Sequence, residues 1–176
     1  MGLTVVALVS LGLGGWWWTH PTLLSEESLG LGSGSAATKP VSESIDHVGV
    51  AGAPWKDPRP GETITFHGFH PVFRVDGAGL KFALSVCVPR MRGKAPEVIG
   101  IMGGDLGRFC AQVRPVRDGT TMRTGTREYL VATLTSTRPG RSTLTAISVN
   151  YSWSRAHLWQ HGDDLIRGGI TVRATG

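Results

Sequence analysis

The chain has 176 residues, 40% of them hydrophobic and 18% charged, which excludes a disordered polymer and a multi-span membrane protein and leaves room for one domain and a tail. Twenty-five glycines and ten prolines fit a turn-rich all-β chain better than a helical bundle. The formal charge is +5, but Glu26, Glu27 and Glu43 against Lys39 leave −2 on residues 1–44, so the rest carries +7. Its cations, among them Arg74, Arg108, Arg123, Arg141 and Arg173, are scattered, as in a soluble surface or a domain drawn to anions.

The first element is apolar. Gly2 to Trp18 holds no charged side chain, and seventeen helical residues at about 1.5 Å each reach about 25 Å, close to a bilayer core. Trp16, Trp17 and Trp18 end the run where amphipathic rings favour the headgroup region, so residues 1–18 are expected to be a transmembrane signal-anchor helix in the cytoplasmic membrane lipid. A cleaved signal peptide is the alternative, although the tryptophans occupy the place where small residues should mark cleavage. No Lys or Arg precedes the run to orient it.

Residues 19–44, rich in Ser, Gly, Thr and Ala, are expected to be a flexible linker. From residue 45 the period becomes that of strands. Ile45–Ala51 is the first, and WKDPRPG over 55–61 is a loop. Thr63–Phe69 sets Ile64 and Phe66 against Thr65 and His67. Leu80–Val88 is the clearest: Leu80, Phe82, Leu84, Val86 and Val88 alternate with Lys81, Ala83, Ser85 and Cys87. That phase turns Cys87 away from the core.

Cys87 and Cys110 are the only cysteines, and with an export segment they read as one disulfide outside the reducing cytoplasm, on the outer side of a sheet or under a covering loop. Two reduced, buried thiols are the alternative. Pro89–Arg108 is expected as a long loop carrying Arg90, Arg92 and Lys94, a candidate contact for an anionic partner. Phe109–Val113 and Tyr129–Thr135 are strands, and Thr137-Arg138-Pro139-Gly140 is a turn. Thr145–Trp153 places Thr145, Ile147, Val149, Tyr151 and Trp153 on one face, and Ile170, Val172 and Ala174 lie on the last strand. Seven to eight strands with turns between them predict an all-β, immunoglobulin-like β-sandwich over residues 45–176.

YLVATLTSTRPGRSTLTAISVNYSW resembles the paired late strands of bacterial immunoglobulin-like sandwich domains, in which a T-x-P-G turn precedes a strand ending in Tyr. With the anchor, the linker and the arginines, the whole resembles uncharacterised membrane-anchored proteins of high-GC actinobacteria. The resemblance implies no catalytic residue, and the close spacing of the cysteines does not match the antibody bridge between sheets.

Signals for chemistry are sparse. His67 and His70 in F-H-G-F-H-P are candidate copper or zinc ligands, but three apart on a strand they face opposite ways unless the chain turns at Gly68. His157 and His161 have helical ligand spacing inside an expected hairpin loop, and Met91, Met102 and Met122 are soft donors. Asp163 and Asp164 are expected in that solvated loop. No nucleophile motif or phosphate loop is present, and no cofactor is expected. The expectation is a non-enzymatic interaction or accessory domain of the cell envelope, meeting an envelope protein or anionic polymer and no nucleic acid. The alternative is an envelope metal-binding protein.

Overall fold

The computed structural model describes residues 29–30, 33–52, 63–90, 101–123, 128–155 and 158–176. The expected anchor, with Trp16, Trp17 and Trp18, lies outside them, and no helix among the described residues is long and apolar enough to cross a membrane. In chain order the strands are β1 (Leu29–Gly30), β2 (Ser33–Ser35), β3 (Lys39–Pro40), β4 (Ile45–Gly52), β5 (Thr63–Asp76), β6 (Lys81–Pro89), β7 (Ile101–Gly103), β8 (Cys110–Pro115), β9 (Thr121–Arg123), β10 (Tyr129–Thr135), β11 (Gly140–Arg155) and β12 (Leu158–Thr175).

They form two sheets. Sheet I runs β1-β4-β10-β6-β8, with β7 also on the edge of β4; sheet II runs β2-β12-β11-β5-β9, with β3 also on the edge of β12. All pairings are antiparallel except those of β2 and β3, which lie parallel to β12. Sequence-adjacent β4, β5 and β6 alternate between the sheets, and so do β10 and β11, so the fold rests on long-range pairing.

Alternation decides what goes inside. Leu84 and Val86 of β6, Leu130, Ala132 and Leu134 of β10, and Val48 and Val50 of β4 meet Ile64, Phe66, Ile147, Val149, Tyr151, Ile166, Ile170 and Val172 in one apolar core. Each large aliphatic or aromatic side chain fully buried there contributes roughly 1.5–3 kcal/mol of transfer free energy. Ile170, Val172 and Ala174 are buried as the pattern required. β11 departs from its expected phase. The register shifts between Leu144 and Ala146, so Leu144 and Ile147 both face the core, and the half-exposed Thr145 turns its hydroxyl to the Val72 carbonyl at 3.0 Å. A bulge inserts one residue and reverses the side-chain phase beyond it.

Two further expectations change. Ser33–Ser35 and Lys39–Pro40, assigned by composition to a linker, pair with β12 instead. Lys39 then reaches across the end of the sandwich to the buried Asp46 of β4, Nζ to Oδ1 2.6 Å, and so joins the two sheets. The expected hairpin loop around His161 is strand: β11 and β12 stay paired to Arg155 and Leu158. Asp164 is buried on the core side of β12, where it accepts a 2.6 Å hydrogen bond from the Tyr151 hydroxyl. Gly162, opposite Tyr151, leaves room for the ring; a Cβ there would lie 2.3 Å from the Tyr151 Cζ.

Candidate functional site: the open face of sheet II

The outer faces of the two sheets differ. On sheet I, β7 pairs with β4, and the chain then crosses through Gly104 and a 3-10 turn at Leu106–Arg108 to reach β8 beside β6. This strap is fixed at both ends. At one end His47 Nε2 donates to the Gly104 carbonyl at 2.7 Å, while Nδ1 lies 3.0 Å from the Thr133 hydroxyl. The carbonyl can only accept, so Nε2 carries the proton. Burial lowers the His47 pKa from 6.5, against opposing contributions from the Gly104 bond, Asp46 and Asp105.

At the other end Cys110 is bonded to Cys87, with Cα atoms 5.5 Å apart. Cys87 faces outward as its alternation requires, and the bridge joins neighbouring strands of one sheet. With Val131 it forms a second apolar cluster, on which Leu106 and Tyr129 pack. Burial raises the Tyr129 phenol above its ordinary pKa of 10.0. Arg90, expected to meet an anionic partner, serves the strap: Nε donates to the Gly107 carbonyl at 2.7 Å and its amide to the Phe109 carbonyl at 2.9 Å. Arg92 and Lys94 lie outside the described residues.

No described segment crosses the outer face of sheet II. Val72 (42% exposed), Val75 (52%) and Leu165 (38%) open to solvent there or at its edge. Cross-strand rows carry His70, Ser148 and Leu165, then Val72, Ala146 and Arg167, then Thr143 and Thr171, then Arg141 and Arg173. The edge of β5 is paired with β9 over Thr63–Thr65, and Phe66 exchanges backbone hydrogen bonds with Gly119 and Thr120 of the preceding turn. Because the Val72 carbonyl faces β11, the neighbouring Pro71 turns its nitrogen, which lacks a hydrogen, to the edge away from β11. Proline on an edge strand blunts edge-to-edge pairing with another chain.

Three histidines, His67, His70 and His161, are exposed on this side. Asn150 pairs with Gly68 and Tyr151 with Phe66, leaving His67 as the extra residue of a bulge. His67 and His70 therefore share the exposed side, against the strand rule. His67 Nε2 lies 2.8 Å from Ser152 Oγ and Nδ1 3.1 Å from Asp118 Oδ1, with the His161 ring centroid at 6.1 Å.

This Ser-His-Asp connectivity is that of a hydrolase triad. Access decides its use. Ser152 is 2% exposed beneath the imidazole, and β11 is paired on both sides there, so its amides serve the sheet and form no oxyanion hole. Asp118, its side chain 81% exposed, is reached through the loop between β8 and β9. The trio is a relay that ties this loop to sheet II.

No group of three or more His, Cys, Asp or Glu able to hold a metal gathers among the described residues. Met122 is buried in the core, Met102 is on β7 of the other sheet, and Met91 and His157 lie outside the described residues. At the far end of β5 the Leu80 amide and the Ser142 hydroxyl donate to Asp76 Oδ1, at 2.9 and 2.8 Å. The Leu80 bond leads in lowering this carboxyl's pKa. Comparison with family models, curated proteins and solved structures gave no match.

Proposed function

We propose that the chain is an immunoglobulin-like sandwich, held outside the cytoplasm by an N-terminal membrane anchor, that acts without catalysis as an interaction or accessory domain of the cell envelope. The strand order supports the fold reading. β1-β4-β10-β6 against β12-β11-β5 corresponds to the A-B-E-D and G-F-C sheets of that fold, with β8 and β9 added at the edges. The bridge within sheet I supports an oxidising compartment, since buried disulfides persist there and are rare in the cytosol. The apolar, tryptophan-ended segment over residues 2–18 supports the anchor.

One observation carries the functional reading: a bridged strap lies over the outer face of sheet I, where Phe109 and Val113 are exposed, while no described segment crosses the outer face of sheet II, which presents Val72 and Leu165 beside a blunted edge. On this reading these aliphatic side chains, framed by polar groups, are contact points for a partner. The partner is therefore expected on the β12-β11-β5 face. A photoreactive amino acid placed singly at Val72 or Leu165 in the full chain, in cells, is expected to capture the same partner, whereas one at Ala83 on sheet I is not. Equal capture from both faces, or capture from Ala83 alone, contradicts the assignment.

A further inference from the structure

Arg141 of β11 and Arg173 of β12 are registered partners. Their neighbours Ser142 and Val172 are fully buried, so both guanidinium groups lie on the outer face of sheet II, and both residues are exposed. Like charges directly opposite on adjacent strands, with Cβ atoms about 5 Å apart, repel and work against the sheet. No ion pair relieves them among the described residues. Arg138 instead donates to the Gly77 carbonyl at 3.0 Å, and Lys39 is engaged with Asp46. Asp76, on the neighbouring strand, turns a carboxylate oxygen to the Leu80 amide and the Ser142 hydroxyl. The next outward pair is Thr143 and Thr171, whose hydroxyl oxygens lie 3.2 Å apart. Two arginine forks beside the Thr143 hydroxyl, which shares a hydrogen bond with that of the buried Thr171, form a donor set suited to a tetrahedral oxyanion.

We infer that Arg141 and Arg173, with the neighbouring Thr143, bind phosphate groups of a linear polyanion. Placement favours a polymer over a bilayer, a choice that rests on the anchored reading. Leu29 pairs with Gly52, at the end of the sandwich opposite to that where β10 stops at Thr135 and β11 starts at Gly140. Leu29 thus stands at the first end and the arginines at the second, which on the anchored reading is the end away from the membrane.

The test uses the full chain in a non-ionic detergent, titrated with linear polyphosphate at several salt concentrations. Saturable binding that weakens with salt is expected. In R141Q/R173Q the half-saturating concentration should rise at least tenfold, about what the loss of one charge-assisted hydrogen bond gives. R173E guards against misfolding, because a carboxylate opposite Arg141 replaces repulsion with attraction. Its melting temperature should equal or exceed that of the parent, while polyphosphate binding is lost. Orthophosphate should compete only at far higher concentration. Polyphosphate binding that is absent, or unchanged in R141Q/R173Q, overturns the inference. Arginine-dependent binding to phosphatidylglycerol vesicles with none to polyphosphate also overturns it, in favour of a bilayer. None of these results depends on whether Val72 captures a partner, so the two readings fail separately.

Discussion

Replacing Cys87 and Cys110 together by alanine removes the bridge while keeping both positions apolar. The cysteines are 23 residues apart, and loss of the corresponding constraint on the unfolded chain costs about 3 kcal/mol. For a domain of this size that lowers Tm by roughly 10 °C. The structure adds a local consequence. Cys110 ends the strap, and Leu106 packs on the cluster of Cys87 and Val131, so the strap should loosen before the sheets do. Urea and thermal unfolding of C87A/C110A and of the reduced parent should agree in the size of the loss. Amide exchange should quicken at Arg108 and Phe109, whose N–H groups bond to Asp105 and Leu106, but little along β11 and β12. A Tm change below about 2 °C, or unchanged exchange in the strap, would show that the bridge does not hold the strap to sheet I.

Three further outcomes follow from particular contacts. Gly162→Ala drives a methyl group into the Tyr151 ring beside the buried Asp164 hydrogen bond, and urea unfolding should register a loss of about 1–3 kcal/mol; an unchanged midpoint contradicts the packing. His47, held below its unfolded value of 6.5 by burial, binds a proton less readily folded than unfolded. Its stabilisation is complete above pH 6.5 and is lost as pH falls from there through the folded pKa, so the urea midpoint of the parent should drop more steeply than that of His47→Gln. Identical slopes exclude His47 as the source. Asp76, whose pKa is lowered, stabilises above its ordinary value of 3.8, and Asp76→Asn should flatten the loss measured as pH falls through the lower folded value.

Clean alternation made much of the fold readable. Tyr129–Thr135 appears with its expected limits, and the phase of Leu80–Val88 placed Cys87 outside the core. Bulges hid the rest, because one inserted residue is invisible to a period of two. The shift near Leu144 displaced Thr145, and the one at His67 put two histidines on the same side, where the strand rule separated them. Gly162, Asp163 and Asp164 look like a loop by composition. They are strand because Tyr151, thirteen residues from Asp164, both fills the space over Gly162 and satisfies the buried carboxylate. β2 and β3 join the sheet through backbone hydrogen bonds along an existing edge, which need no apolar pattern. The candidate surface was least legible of all. Arg90, Arg92 and Lys94 drew notice as neighbours in sequence, whereas Arg141 and Arg173 meet only through the register of β11 and β12.

The claim that this domain acts through the outer face of sheet II is tested most directly with the full-length V72E/L165E variant. It would be recovered from cells after crosslinking and compared with the parent. Both positions are already solvent-exposed, so the melting temperature should stay close to that of the parent. The variant should fold and no longer recover the parent's partner. A variant that folds and still recovers that partner in equal yield would contradict the claim.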